Sequence, residues 1–183
     1  MRIFALFIAF LLVLTVVSAD EYYDAGIIPG DPTYGLDRAM ERLSLNLAKG
    51  NAAKAEKRLQ NAIERLAELN AVINNGRTQH VDQLLLDSKN DLEIAEDLVL
   101  IEEDAGKDVI ALEKKIAVAS FNQYLLLEEI MKKVPVAGQS GLRIALEQRV
   151  KSNQRALSRV ERITGRAAGM DEDLALKKVR KKS

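Results

Sequence analysis

Residues 51–74 read NAAKAEKRLQNAIERLAELNAVIN, and this stretch decides the fold. Ala55, Leu59, Ala62, Leu66, Leu69 and Ile73 recur at steps of four and three, the heptad rhythm of helices packed side by side. Glu56, Lys57, Arg58, Glu64, Arg65 and Glu68 fall on the other faces. Asn51 is placed to cap the start, and Asn74-Asn75-Gly76 to stop it.

The pattern repeats on both sides. Upstream, Asp31 can cap a first helix with Pro32 in its first turn, and Leu36, Met40, Leu43 and Leu47 follow one face up to Gly50. A third helix is expected from Thr78 to Ala105, with Val81, Leu85, Leu92, Ala95 and Val99 in one stripe. Leu84, Ile94, Leu98 and Ile101 form a second stripe beside it, and this double stripe is the best candidate for a seam between chains. A fourth runs from Asp108 to Val134, its face Val109, Leu112, Ile116, Ala119, Gln123, Leu126 and Ile130 broken only by Gln123. A fifth, from Ser140 to Ile163, presents Leu142, Leu146, Val150, Leu157 and Val160, with Arg149 and Asn153 close to that face. Glycines punctuate the intervals, the segments between them are rich in strong helix formers, and no stretch sustains the alternation of a strand.

The expected fold is therefore all-α: an elongated antiparallel bundle of about five helices with coiled-coil-like packing. Around Gly106-Lys107 two arrangements stay open. Helices three and four either form an antiparallel hairpin or make one long helix bent at Gly106.

The ends of the 183-residue chain differ from its middle. Arg2, the apolar run from Ile3 to Val17, and Val17-Ser18-Ala19 have the layout of a secretory signal peptide. The alternative is an uncleaved anchor, although 15 residues fall short of the ~20 that span a bilayer. We expect residues 1–19 to be the signal, 20–30 an extended segment, 31–164 the bundle and 165–183 a charged, flexible tail. Residues 177–183 carry a net charge of +5, which offers a contact to anionic lipid or to an acidic partner. Localisation is expected to be extracytoplasmic, secreted or associated with the cell envelope.

Chemical equipment is sparse. The 27 basic and 27 acidic side chains balance, and Arg2 leaves with the signal, so no general attraction to nucleic acid is expected. One Phe and four Tyr remain after the signal, a poor set for stacking on single strands. With no Cys there are no disulfides, thiolate metal sites or cysteine nucleophiles. His80 is the single histidine. It has neither a Glu-x-x-His partner set for a di-metal bundle nor a Gly-x-Ser-x-Gly elbow for a triad. Glu102, Glu103, Asp104 and Asp108 cluster near Gly106, but their spacing does not fit a calcium loop, and the plainer reading makes Asp108 a helix cap. No catalytic, cofactor-binding or metal-binding residue is expected, and no cofactor.

Pro29-Gly30-Asp31-Pro32-Thr33-Tyr34-Gly35-Leu36-Asp37-Arg38 carries a resemblance. It is similar to the opening motif of a secreted, all-helical prokaryotic family of unknown function, mainly archaeal. Ala39-Met40-Glu41-Arg42-Leu43, Ala55-Glu56-Lys57-Arg58-Leu59 and Lys133-Val134-Pro135 extend the likeness over about residues 28–163. The resemblance implies a signal peptide and a helical domain, and no activity. Pro29, Gly30, Asp31, Pro32, Tyr34, Leu36 and Arg38 are expected to act structurally, Asp31-Pro32 as a cap and Tyr34 and Leu36 as pins against the bundle.

The expected role is a non-enzymatic module acting through a protein partner or self-association, with no nucleic acid. Membrane contact is expected only through the basic tail or an uncleaved anchor. The alternative is a protein that holds an apolar ligand or lipid between helices, in room left by Ala55, Ala62, Ala95 and Ala119. A third class, an enzyme using carboxylates alone, needs two acids to meet in a cleft.

Overall fold

Good helix formers between glycine stops produce five α-helices among the described residues of the computed structural model: α1 Tyr34–Leu47, α2 Gly50–Asn74, α3 Val81–Asp104, α4 Ile110–Lys133 and α5 Ser140–Arg180. The structure describes residues 25–180, with side chains up to residue 165. The expected signal peptide and the basic side chains of the tail lie outside the described residues. Gly76 (φ +70°) and Gly106 (φ +75°) end α2 and α3 in the left-handed region. At each end the next two N–H groups fold back on the last turn: Arg77 N to Val72 O (2.8 Å) and Gly76 N to Ile73 O (3.1 Å), Lys107 N to Glu102 O (3.1 Å) and Gly106 N to Glu103 O (2.8 Å).

Three boundaries differ from expectation. α1 begins at Tyr34, because the Asp31 carboxylate is used elsewhere and cannot cap a helix at Pro32. Asn51 lies inside α2, which starts at Gly50. α5 does not stop near Ile163. Gly165 costs a helix about 1 kcal/mol, and without a folded-back cap the helix-forming residues after it carry the backbone on to Arg180. Asp108 does act as a cap, its Oδ1 accepting the Ile110 N–H at 3.0 Å.

The chain breaks into two helices at Gly106, but α3 and α4 do not pack as a lengthwise hairpin. α2 packs along α3, and α4 along α5. These antiparallel pairs stack with α2 parallel to α4 and α3 parallel to α5, so the α3–α4 turn crosses the diagonal. α1 folds back antiparallel on α2.

Two apolar clusters fill the bundle. One holds Leu66, Leu69, Val72, Leu84, Leu85, Leu127, Ile130 and Leu142, with Ile28 from the opening segment against it. The other holds Ala55, Leu59, Ala62, Leu92, Ala95, Val99, Ile116, Ala119 and Ala156. Between them lie Ser88, Gln123 and Arg149, all buried. Gln123 thus occupies the core position its spacing suggested. On α5, however, the buried stripe is Leu142, Ala145, Arg149, Ser152 and Ala156, one residue out of step with the stripe expected, and Val150 faces outward. The alanines expected to leave room are 0–2% exposed, and they bring the helices close instead.

Candidate functional site

The opening segment is fastened to the α2–α3 corner by one side chain. Arg77 Nη1 donates to the Pro29 carbonyl at 3.1 Å and to Asp31 Oδ1 at 2.7 Å. Asp31 Oδ2 also accepts the Ile28 N–H at 3.1 Å, and its carbonyl accepts the Tyr34 N–H. The hydrogen bond from Arg77 is the main reason the Asp31 carboxyl stays below its ordinary range. Pro29 is buried, Pro32 is exposed, and Gly30 at φ +96° lies against the Arg77 side chain. Asp31 is therefore a clamp on the segment before α1.

α1 carries two stripes of four-three spacing. The inward one is Tyr34, Arg38, Glu41 and Leu45, with Ala48 just past the helix end. Its polar members surround Arg65, which is fully buried on α2. Arg65 Nη1 donates to Glu68 Oε2 (2.9 Å) and to the Tyr34 hydroxyl (3.0 Å), while Nη2 pairs with Glu41. The Tyr34 hydroxyl in turn donates to Glu68 Oε2 at 3.0 Å. Arg38 bridges Glu41 (2.6 Å) to Asp87 on α3 (3.1 Å). Burial, opposed by Arg65, pushes the Glu68 carboxyl up to about 7. Burial, followed by the Glu68 charge, pushes the Tyr34 hydroxyl up to about 12.

The outward stripe is Leu36, Met40, Leu43 and Leu47, at 66, 57, 50 and 69% exposure. Leu36 was expected to pin the segment to the bundle and does the reverse. The ionic groups on α2 need partners, and Tyr34, Arg38 and Glu41 can supply them only if the leucines turn away. Beside this stripe an open groove of about 530 Å³ runs between α1 and the start of α2, floored by Ala48 and Ala53 and rimmed by Glu56, Lys57 and Gln60. On α3 the second stripe is divided. Leu84 is buried and Leu98 half-buried, leaving only Ile94 and Ile101 of that stripe exposed.

Elsewhere the buried acids are neutralised in place. Glu96 accepts from Ser152 and is held by Arg155 at 2.7 Å, and Ser152 shares a hydrogen bond with Ser120 at 2.9 Å. Glu113, its carboxyl raised by burial, pairs with Arg159. Arg149 is buried to 1% exposure and donates to Ser88 at 2.7 Å, and burial lowers its guanidinium to about 10. Glu102 pairs with Lys107 and Glu103 with Arg162, which leaves the acidic cluster at Gly106 dispersed. His80 lies beside Gln79 in the turn before α3. Among the described residues no three His, Asp or Glu side chains converge as a metal ion would require. None of the described helices is long and apolar enough to cross a membrane.

Heptad spacing alone puts Arg65 and Glu68 on outer faces of α2. A signal was present: Arg58, Arg65, Glu68 and Val72 form a second stripe at steps of seven, three and four. Read as a seam, it faces α1 and α3, with Arg58 pairing to Asp91 at 2.5 Å. Arg77 carried no such signal, since a lone arginine after a glycine stop resembles an ordinary loop residue.

A family model described as "Domain of unknown function (DUF5667)" matches residues 26–166, and the chain belongs to that family. No curated protein and no solved structure matches it.

Proposed function

We propose that this DUF5667 member is an exported, non-enzymatic helical module that works through protein contacts made by the outer face of α1. The observation that carries this reading is the four-residue apolar stripe held out to solvent by an ionic network on the opposite side of the same helix. A helix orients its apolar face away from an available core only when the polar side gains more, and a contiguous exposed apolar patch marks an interaction site. The apolar run before Asp20 supports export, and the opening motif supports kinship with secreted, mainly archaeal-type domains. The locked state of Glu68, Glu96 and Glu113 supports a structural use for the buried acids.

The ligand-holding alternative has weaker support. Two hollows among the described residues, one between α1 and α2 and one lined by Leu100 and Arg155, are open surface grooves, and the alanine-lined interior is closed. The test is Leu43→Lys, which keeps the fold because Leu43 is half-exposed. In light scattering and in crosslinking within envelope fractions, the substitution should remove the complexes formed by the unmodified chain. A monodisperse monomer that crosslinks to nothing, with or without the substitution, refutes the reading.

A further inference from the structure

The shape and charge of the α1 face specify what covers it. Leu36, Met40, Leu43 and Leu47 step by four, three and four, a narrow seam about 16 Å long. Ala39, Arg42 and Asn46 border it on one side, so the apolar band is one helix wide. A bilayer surface calls for a broader apolar face backed by a strongly basic one, and α1 with Lys49 carries three basic and two acidic side chains. The seam fits another helix of the same character.

We propose that the occupant is a second copy of this chain, its α1 laid antiparallel against the first. This rests on the reading of the α1 face given above. About a two-fold axis between Met40 and Leu43, Leu36 meets Leu47 of the second copy and Met40 meets its Leu43. The seam is self-complementary, as an isologous dimer requires. Charge supports the same direction. Asp37 stands near the start of α1 and Lys49 just past its end, and neither has an ion-pair partner among the described residues. Antiparallel pairing brings the acidic end of each helix beside the basic end of the other and opposes the two helix dipoles. Parallel pairing would put like charges together at both ends. The groove between α1 and α2 adds a shoulder on which the second helix can rest. Four side chains from each copy make a small interface, so the dimer belongs with weak, reversible associations rather than with obligate ones.

The chain lacks cysteine, which makes the test direct. Met40→Cys and Leu43→Cys variants of the full chain are mixed and oxidised, with Val136→Cys, at an exposed distant turn, as control. Disulfide joining Met40→Cys to Leu43→Cys should form at least about tenfold faster than any disulfide through Val136→Cys. Sedimentation of the unmodified chain should show a concentration-dependent dimer, which Leu43→Lys weakens about tenfold or more while Leu43→Met preserves it. A monomer at every concentration, or disulfide formation no faster than the control, overturns the second copy as occupant. The wider reading then stands if Leu43→Lys removes a crosslink to a different protein, and falls if it removes nothing. Binding of anionic vesicles through Leu43 overturns both.

Discussion

Replacing Arg65 with Met tests whether the ionic network holds α1 in place. The substitution keeps an unbranched apolar stem and deletes the cation that Glu41, Glu68 and Tyr34 share. Glu68, only 2% exposed, is then left as a buried carboxylate without its arginine. Breaking a buried pair in this way costs about 3–5 kcal/mol. A ceiling exists, because Glu68 can take up a proton instead. Measured from the folded-state value of about 7, that escape adds about 1.4 kcal/mol of loss at pH 8 and almost none at pH 5.5. At pH 5.5 the carboxyl is also largely protonated in the unmodified protein, its value being about 7. The destabilisation should therefore be about 3–5 kcal/mol at pH 8, on the order of 10 °C in melting temperature, and about 1.4 kcal/mol smaller at pH 5.5. Urea unfolding followed by circular dichroism at both pH values measures it. Hydrogen exchange locates it, since α1 amides should lose protection before those of α2 and α3. A loss below about 1 kcal/mol at pH 8, or the same loss at both pH values, refutes the argument.

Other expectations follow from the same contacts. Because the Glu68 carboxyl is raised in the folded state, its contribution is fully present below about 4.5 and lost as pH rises through about 7. Stability should thus climb as pH falls from 8 to 5, and Glu68→Gln should flatten that slope in denaturant titrations; an unchanged slope counts against the assignment. Arg149→Met should be close to neutral or stabilising, because among the described residues Arg149 donates only to Ser88, and Ser88 keeps its bond to the Ala62 carbonyl at 2.8 Å. A loss above about 3 kcal/mol would show that the pair matters more than its desolvation. Ser152→Ala removes the hydroxyl between Ser120 and Glu96 and should cost about 1–3 kcal/mol by thermal unfolding, whereas a neutral result contradicts the relay. Gly106→Ala meets no neighbour within 4 Å but is forced into φ +75°, so about 1 kcal/mol of loss is expected, with α3 amides near the turn exchanging faster.

Helix content and the breaks at Gly76 and Gly106 are legible because glycine stops and heptad steps are local signals. The α4 stripe from Val109 to Ile130 lies inward as expected, Gln123 included. The pairing of helices was less legible. A short turn at Gly106 fixes the reversal of direction, but the lateral neighbours depend on which faces dock, and α2 with α3 and α4 with α5 make the most extensive contacts. The errors on α1, α2 and α5 share one cause. Each of these helices carries two stripes at heptad spacing, one richer in apolar residues and one holding charged side chains. Hydrophobicity alone favours the first, but the fold turns the second inward on α1 and α5 and buries members of both on α2.

That choice has an energetic logic. An arginine such as Arg65 can enter the interior only if acceptors arrive with it, and Glu68 alone leaves part of the guanidinium unmet. Glu41 and the Tyr34 hydroxyl come from a different helix, so burial of Arg65 requires α1 to dock in one orientation and one register. Leucine contacts would tolerate a slip or a rotation; this set of partners does not. The apolar face of α1 is thereby aimed outward by groups that never touch it. A partner that covers Leu36, Met40, Leu43 and Leu47 meets a surface already ordered, and binding avoids much of the entropic cost of arranging it. Arg65→Met should for this reason weaken self-association through α1 even though Arg65 lies beneath the interface, and more at pH 8 than at pH 5.5.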